Sequence, residues 1–288
     1  MFYINMQITY PIHQKHNIYP SFCSTTRVGL LSDSVDYIYS TQSSVFRTDL
    51  DWMKFAKYLG IHFKDAEKVN VVCQACSDGS EPYTLALALI HSLGFEASKK
   101  FFPIKARDID ITNISSFAKR GIINLTKEDI EKLKINGINF DKYFSNSTEQ
   151  IRLVNDTINN EVQTYKVNQN LRQFVDFQNQ DLEDDASRLV DNSNTVFLCR
   201  NVLPYLGSYD ARKVIYNLGK NMKKGSILSL GTYTNSKFLT YSEDYKFIKD
   251  CGFEPLADFK QTYIKTDNLS NRNELDWGAN ILSYRMPF

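Results

Sequence analysis

The chain has 288 residues, and its 34 Lys and Arg nearly cancel its 33 Asp and Glu, for a net charge of +1. That balance excludes a whole-chain electrostatic drive toward nucleic acid or acidic lipid, and no apolar run reaches bilayer length. Met1 to Tyr10 lacks the basic start and apolar block of a secretory leader. The odd count of five cysteines, three of them in apolar runs, reads as reduced, buried thiols in a cytoplasmic chain.

Residues 1 to 42 are rich in Tyr, Ser and Thr with weak periodicity, and read as an N-terminal cover. Residues 43 to 288 read as the main domain. Leu50 to Leu59 places Leu50, Met53, Phe55, Ala56 and Leu59 at amphipathic helix spacing. Lys68 to Cys73 is a short β-branched run, a buried strand. A loop over Ser77 to Pro82 follows, then a helix over Tyr83 to Leu93 that Gly94 ends.

Phe101 to Ala106 reads as a second strand, closed by Arg107 to Asp110, and Thr112 to Lys119 as a helix. The polar, Asn-rich stretch 124 to 170 reads as a small inserted subdomain. Strands are expected at Gln173 to Phe177, Asn194 to Cys199 and Ser226 to Leu230, with a helix over Asp210 to Met222. The tail carries expected antiparallel strands near Phe259 to Lys265 and Asn280 to Arg285. Strands alternating with helices give right-handed β-α-β units, hence a Rossmann-like, doubly wound, mainly parallel α/β sheet.

Such sheets bind ligands beyond the carboxyl ends of their strands. Those ends here carry Ser77, Asp78, Gly79 and Glu81, then Asp108 with Asp110, Asp181, Arg200 with Asn201, and Gly231. The first loop has one glycine and neither G-x-x-x-x-G-K-[ST] nor G-x-G-x-x-G, so a phosphate is poorly provided for. An acid after the second strand suits two ribose hydroxyls, and Glu81 suits an ammonium. S-adenosylmethionine, with a ribose, an adenine, an amino acid and no phosphate, matches that set.

Five segments sharpen this. Cys76-Ser77-Asp78-Gly79-Ser80-Glu81-Pro82-Tyr83-Thr84 resembles the small-G-E-E-P-Y-S loop of CheR-type chemotaxis-receptor methyltransferases. Ala106 to Asp110 resembles their A-T-D-I-D, Phe197 to Leu206 their F-C-R-N-V-x-I-Y-F, Ser44 to Asp49 their T-x-F-F-R-D, and Lys223 to Gly231 their K-P-G-G-x-L-x-x-G. The five are collinear. The resemblance implies that Ser77, Gly79 and Glu81 border the methionine end of S-adenosylmethionine, with S-adenosylhomocysteine as product. It implies that Asp108 meets the ribose, that Asp181 and Leu182 lie by the adenine, and that Arg200 and Asn201 flank the cofactor. Arg47 and Tyr205 match the residues set near the methyl and the acceptor carboxylate, so the implied acceptor is a protein glutamate or another acid.

The chain departs from the family where Arg107 replaces threonine, Asp181 replaces asparagine, Ser80 replaces the first loop glutamate, and Thr232-Tyr233-Thr234 replaces H-S-E. About 42 residues precede the arginine segment, and their pattern does not clearly match the family's helical N-terminal domain, so a shortened or divergent one is expected. A binding module that keeps the cofactor and transfers nothing is therefore the second reading. Cys73-Gln74-Ala75-Cys76 lacks two further ligands at zinc spacing and reads as packing, with no metal expected. His13, His16, His62 and His91 read as structural or surface residues. Asp110 is equally a helix cap or a ligand.

Overall fold

The structure, a computed structural model, describes residues 44–148, 163–189, 193–203, 206, 208–231 and 242–266. The N-terminal cover, Tyr205, Thr232 to Thr234 and the strand expected at Asn280 to Arg285 lie outside the described residues. Among the described residues no helix is long and apolar enough to cross a membrane.

The chain enters through α1 (Trp52–His62), capped by Asp51, whose carboxylate accepts from Lys54 N at 2.9 Å. Strand β1 (Asn70–Gln74) is buried at every position, as a two-sided parallel strand must be. Helix α2 (Ser80–Leu93) buries Tyr83 through Leu89 without a break and packs against α1. A helix apolar on all sides belongs inside a core. Truncating Leu85, Leu87 or Leu89 to Ala, each with no exposure, costs about 2–5 kcal/mol.

The main sheet continues with β2 (Ile104–Asp108), β6 (Val175–Asn179), β7 (Thr195–Leu198), β8 (Ile227–Ser229), β9 (Phe253–Pro255) and β10 (Thr262–Lys265). Its order is β6-β2-β1-β7-β8-β10-β9. Strands β6, β2, β1, β7 and β8 are parallel, and β10 pairs antiparallel with both β8 and β9. The order reverses between β1 and β7, where Val72 faces Phe197 and Cys73 faces Leu198. In a doubly wound sheet that reversal opens the ligand crevice.

Between β2 and β6 the chain builds a second, three-stranded antiparallel sheet from β3 (Ile122–Leu125), β4 (Phe144–Asn146) and β5 (Gln163–Val167), in the order β3-β5-β4. Helix α4 (Lys127–Ile135) leaves it through a capping box of Thr126 and Asp129. The base of this unit is closed by Val167 N donating to Gly121 O at 2.7 Å. Its inner side meets α2, with Tyr143 Oη 3.3 Å from His91 Nε2.

Several expectations shift in register. Trp52, not Met53, is the fully inward residue at the start of α1, since its indole packs under a buried guanidinium. Arg107 and Asp108 lie inside β2 rather than beyond it. Helix α2 begins at Ser80, so Glu81 sits in its first turn. Thr112 to Lys119 is irregular, a wide helical turn over Asn113–Phe117 followed by a tight one over Ala118–Arg120. Strand β9 and helix α9 (Ser242–Asp250) are additions to the expected elements.

Candidate functional site

The loop after β1 alternates handedness. Ala75, Ser77 and Gly79 have φ of 52°, 53° and 94°. Left-handed backbone costs a non-glycine residue about 1–2 kcal/mol, so other contacts must hold the loop in place. They come from β2 next door. Cys76 N donates to Arg107 O at 3.0 Å, and Ser77 N donates to Asp108 Oδ2 at 2.8 Å. Gly79 has a second reason to be glycine: a Cβ there would lie 2.8 Å from Phe177 Cζ and 2.9 Å from a Tyr83 ring carbon.

Asp108 therefore does structural work as well as standing at a strand end. Its other oxygen accepts from Asp110 N at 2.9 Å. Burial pushes its carboxyl from 3.8 up to about 7, against the pull of those two backbone donors. Asp110 takes the capping role, its carboxylate accepting from Thr112 N at 2.8 Å and Asn113 N at 3.2 Å.

Arg200, just past β7, has a fully buried side chain. Nη2 lies 2.6 Å from Asp49 Oδ1, Nε lies 3.3 Å from Glu81 Oε2, and Nη1 donates to Ser229 Oγ at 3.3 Å. The guanidinium sits 4.9 Å from the Trp52 ring centre. A buried charge needs such company, because desolvation alone would expel it. Glu81 closes the cluster, with Oε1 accepting from Cys73 Sγ at 3.2 Å. Burial raises its carboxyl above the usual range, and Arg200 opposes that rise. Burial, with Glu81 beside it, also holds the Cys73 thiol well above its ordinary value, which favours the neutral, packed form.

Asn201 adopts φ 59°, donates Nδ2 to Asp49 Oδ2 at 3.4 Å, and donates its backbone N–H to Leu230 O at 2.8 Å. Gly231 faces it: a Cβ on Gly231 would lie 2.6 Å from Asn201 Oδ1. Asp181 caps α7 (Leu182–Arg188), accepting from Glu183 N at 2.7 Å, and Leu182 is buried behind it. Arg47 is half-buried and its charge draws the Glu81 carboxyl down; its carbonyl accepts from Trp52 Nε1 at 3.1 Å.

The structure thus joins Glu81, Arg200 and Asn201 in one cluster, with Arg47 beside it, and ties the adjoining loop of Ser77 and Gly79 to Asp108 at the end of β2. Sequence reasoning missed Asp49, Trp52 and Ser229 as members. Asp49 was readable as an acid two residues after Arg47; nothing local marked Ser229. Cys73, Cys76, Cys199 and Cys251 are free and buried, and among the described residues no cluster of His, Cys, Asp or Glu is fit to hold a metal.

S-adenosylmethionine fits these residues on two observations. Ser77 Oγ and Asn201 Oδ1 are buried without a hydrogen-bond partner, and buried polar atoms in native folds are normally satisfied. Glu81 lies in the first turn of α2, a carboxylate suited to an ammonium, with Arg200 Nε 3.3 Å away. The domain is a doubly wound α/β sheet with no phosphate loop at its reversal point, a frame suited to a cofactor without phosphate. Residues 41–249 match the family described as CheR methyltransferase, SAM binding domain, and the chain belongs to that S-adenosylmethionine-dependent family.

The chain is 24% identical over 212 residues to chemotaxis protein methyltransferase 2 of Vibrio cholerae, covering 73% of this chain and 65% of that protein. It is 25% identical over 240 residues to the chemotaxis protein methyltransferase of Listeria monocytogenes, covering 82% and 77%. A crystal structure of magnesium protoporphyrin IX methyltransferase from Synechocystis with bound SAM aligns at a TM-score of 0.35 and 15% identity, over 74% and 77% of the two chains.

Proposed function

We propose that this chain transfers a methyl group from S-adenosylmethionine to a carboxylate, with a protein glutamate as the favoured acceptor. The observation that carries the reading is the buried Asp49–Arg200–Glu81 cluster at the sheet's reversal point, within a chain of the CheR family. The names of the Vibrio and Listeria relatives support a protein acceptor.

When bound, the cofactor supplies a sulfonium-activated methyl. Glu81 holds the ammonium of its methionine end. Asp108 accepts from the ribose hydroxyls on lone pairs its backbone donors leave open. Asp181 and Leu182 border the adenine, and Arg200 and Asn201 flank the cleft. A carboxylate acceptor is already nucleophilic at neutral pH, so the protein has no proton to remove. Its task is to align the acceptor and exclude water. Arg47 orients the acceptor as a two-pronged donor, and the family resemblance assigns Tyr205 to the methyl-transfer step. The buried free thiols support work in the cytoplasm.

Calorimetry with S-adenosylhomocysteine, followed by release of volatile methanol from labelled protein extracts at alkaline pH, tests both halves. Binding with no base-labile methyl in any extract would leave a non-catalytic cofactor module. Arg47→Ala is expected to lower transfer at least tenfold while cofactor affinity stays within about threefold.

A further inference from the structure

We infer that Asp49 is a positioning residue that divides the guanidinium of Arg200 between two carboxylates and so keeps Glu81 available to a cationic ligand group. The inference rests on the cofactor reading above.

The side-on pair of donors on an arginine, Nε and Nη2, matches the two oxygens of one carboxylate. In this cluster that pair is split. Nε faces Glu81 Oε2 at 3.3 Å, while Nη2 faces Asp49 Oδ1 at the much shorter 2.6 Å. Trp52 covers the guanidinium face and Ser229 Oγ takes Nη1, so the ring plane is fixed from α1 and β8. Among the described residues, Asp49 is the carboxylate that shares this side-on edge with Glu81.

Without the Asp49 charge, Glu81 is left as the carboxylate to take both Nε and Nη2. Glu81 already spends Oε1 on Cys73 Sγ. A chelated Glu81 has little charge left for an ammonium. Asp49 also receives Asn201 Nδ2 at 3.4 Å, so one carboxylate sets both residues of the Arg200-Asn201 pair. The segment before α1 reaches this point because Val45 and Phe46 are buried and Phe46 N donates to Thr84 Oγ1 at 3.1 Å on α2.

The test compares two ligands on the full chain. S-adenosylhomocysteine carries the amino-acid end, and 5′-methylthioadenosine lacks it. Asp49→Asn is expected to weaken S-adenosylhomocysteine about tenfold or more and to leave 5′-methylthioadenosine within about twofold. Equal weakening of both would mark a merely structural role and overturn the inference, as would unchanged binding of both. Asp49→Glu keeps the charge and covers the case in which Asp49→Asn fails to fold. It is expected to bind S-adenosylhomocysteine within about threefold of wild type, and a selective tenfold loss in folded Asp49→Glu overturns the inference. Wild-type protein that binds neither ligand overturns the cofactor reading itself, and this inference with it.

Discussion

Asp108→Asn keeps the shape of a buried side chain and removes its titration. In the folded chain the Asp108 carboxyl is pushed from 3.8 up to about 7, with burial the leading cause. The folded state therefore holds this proton more tightly than the unfolded state. The stability it contributes is fully present below about pH 4 and is lost as pH rises toward 7. Each tenfold change in proton affinity is worth about 1.4 kcal/mol, so the whole window spans about 4 kcal/mol, of which about 3 kcal/mol falls between pH 5 and pH 8. Asp108 is 1% exposed, so solvent screening takes little from that figure.

The asparagine also sets an amide N–H₂ against either Ser77 N–H or Asp110 N–H, both of which now donate to the carboxylate. That mismatch costs about 1–3 kcal/mol, and it does not change with pH. The slope with pH thus isolates the titration from the lost hydrogen bond. Urea unfolding of both proteins, followed by fluorescence at four values from pH 5 to pH 8, measures it. The stability advantage of wild type over Asp108→Asn is expected to shrink by about 2–3 kcal/mol across that range. Parallel profiles would refute the argument, whatever the absolute stabilities.

Two further outcomes follow from the same loop. Ribose hydroxyls that donate to Asp108 favour its ionised form, so S-adenosylhomocysteine binding near pH 7 is expected to release about half a proton. Calorimetry in two buffers of different ionisation enthalpy reads this, and no release would put the ribose elsewhere. Gly79→Ala is expected to destabilise the chain by about 2 kcal/mol or more in urea unfolding. The reasons are its φ of 94° and the 2.8 Å approach of a Cβ to Phe177; unchanged stability would mean the loop relaxes freely.

The parallel strands were legible because each is a short apolar run closed by a polar residue at the crevice. Leu85 to Leu89 announced a buried helix in the same way. The element ends were less legible. Asp108 pairs with Asn179 across the sheet and stays in strand geometry, although its charge reads as the start of a loop. Glu81 and Pro82 read as loop residues, yet the Asp78 carboxylate accepts from Ser80 N at 3.0 Å and starts the helix earlier. Glu81 and Asp108 could be proposed as cofactor acids because strand ends converge by topology. Asp49 was not, because it comes from a segment ahead of the first strand. Its role depends on Arg200, which is 151 positions later in the chain. No local pattern encodes such a meeting.

The closed base of the small antiparallel sheet bears on how this scaffold can be varied. The chain leaves at Gly121 and returns at Val167, where Val167 N donates to Gly121 O and, just outside, Arg172 Nη2 donates to Lys119 O at 2.6 Å. A graft made at that neck, between residues 121 and 167, leaves the spacing of β2 and β6 unchanged. The side resting on α2 through His91 and Tyr143 must be preserved in any exchange. Any exchange at that neck therefore has to supply a face that fits α2, while the crevice at the β1–β7 reversal keeps its own strands.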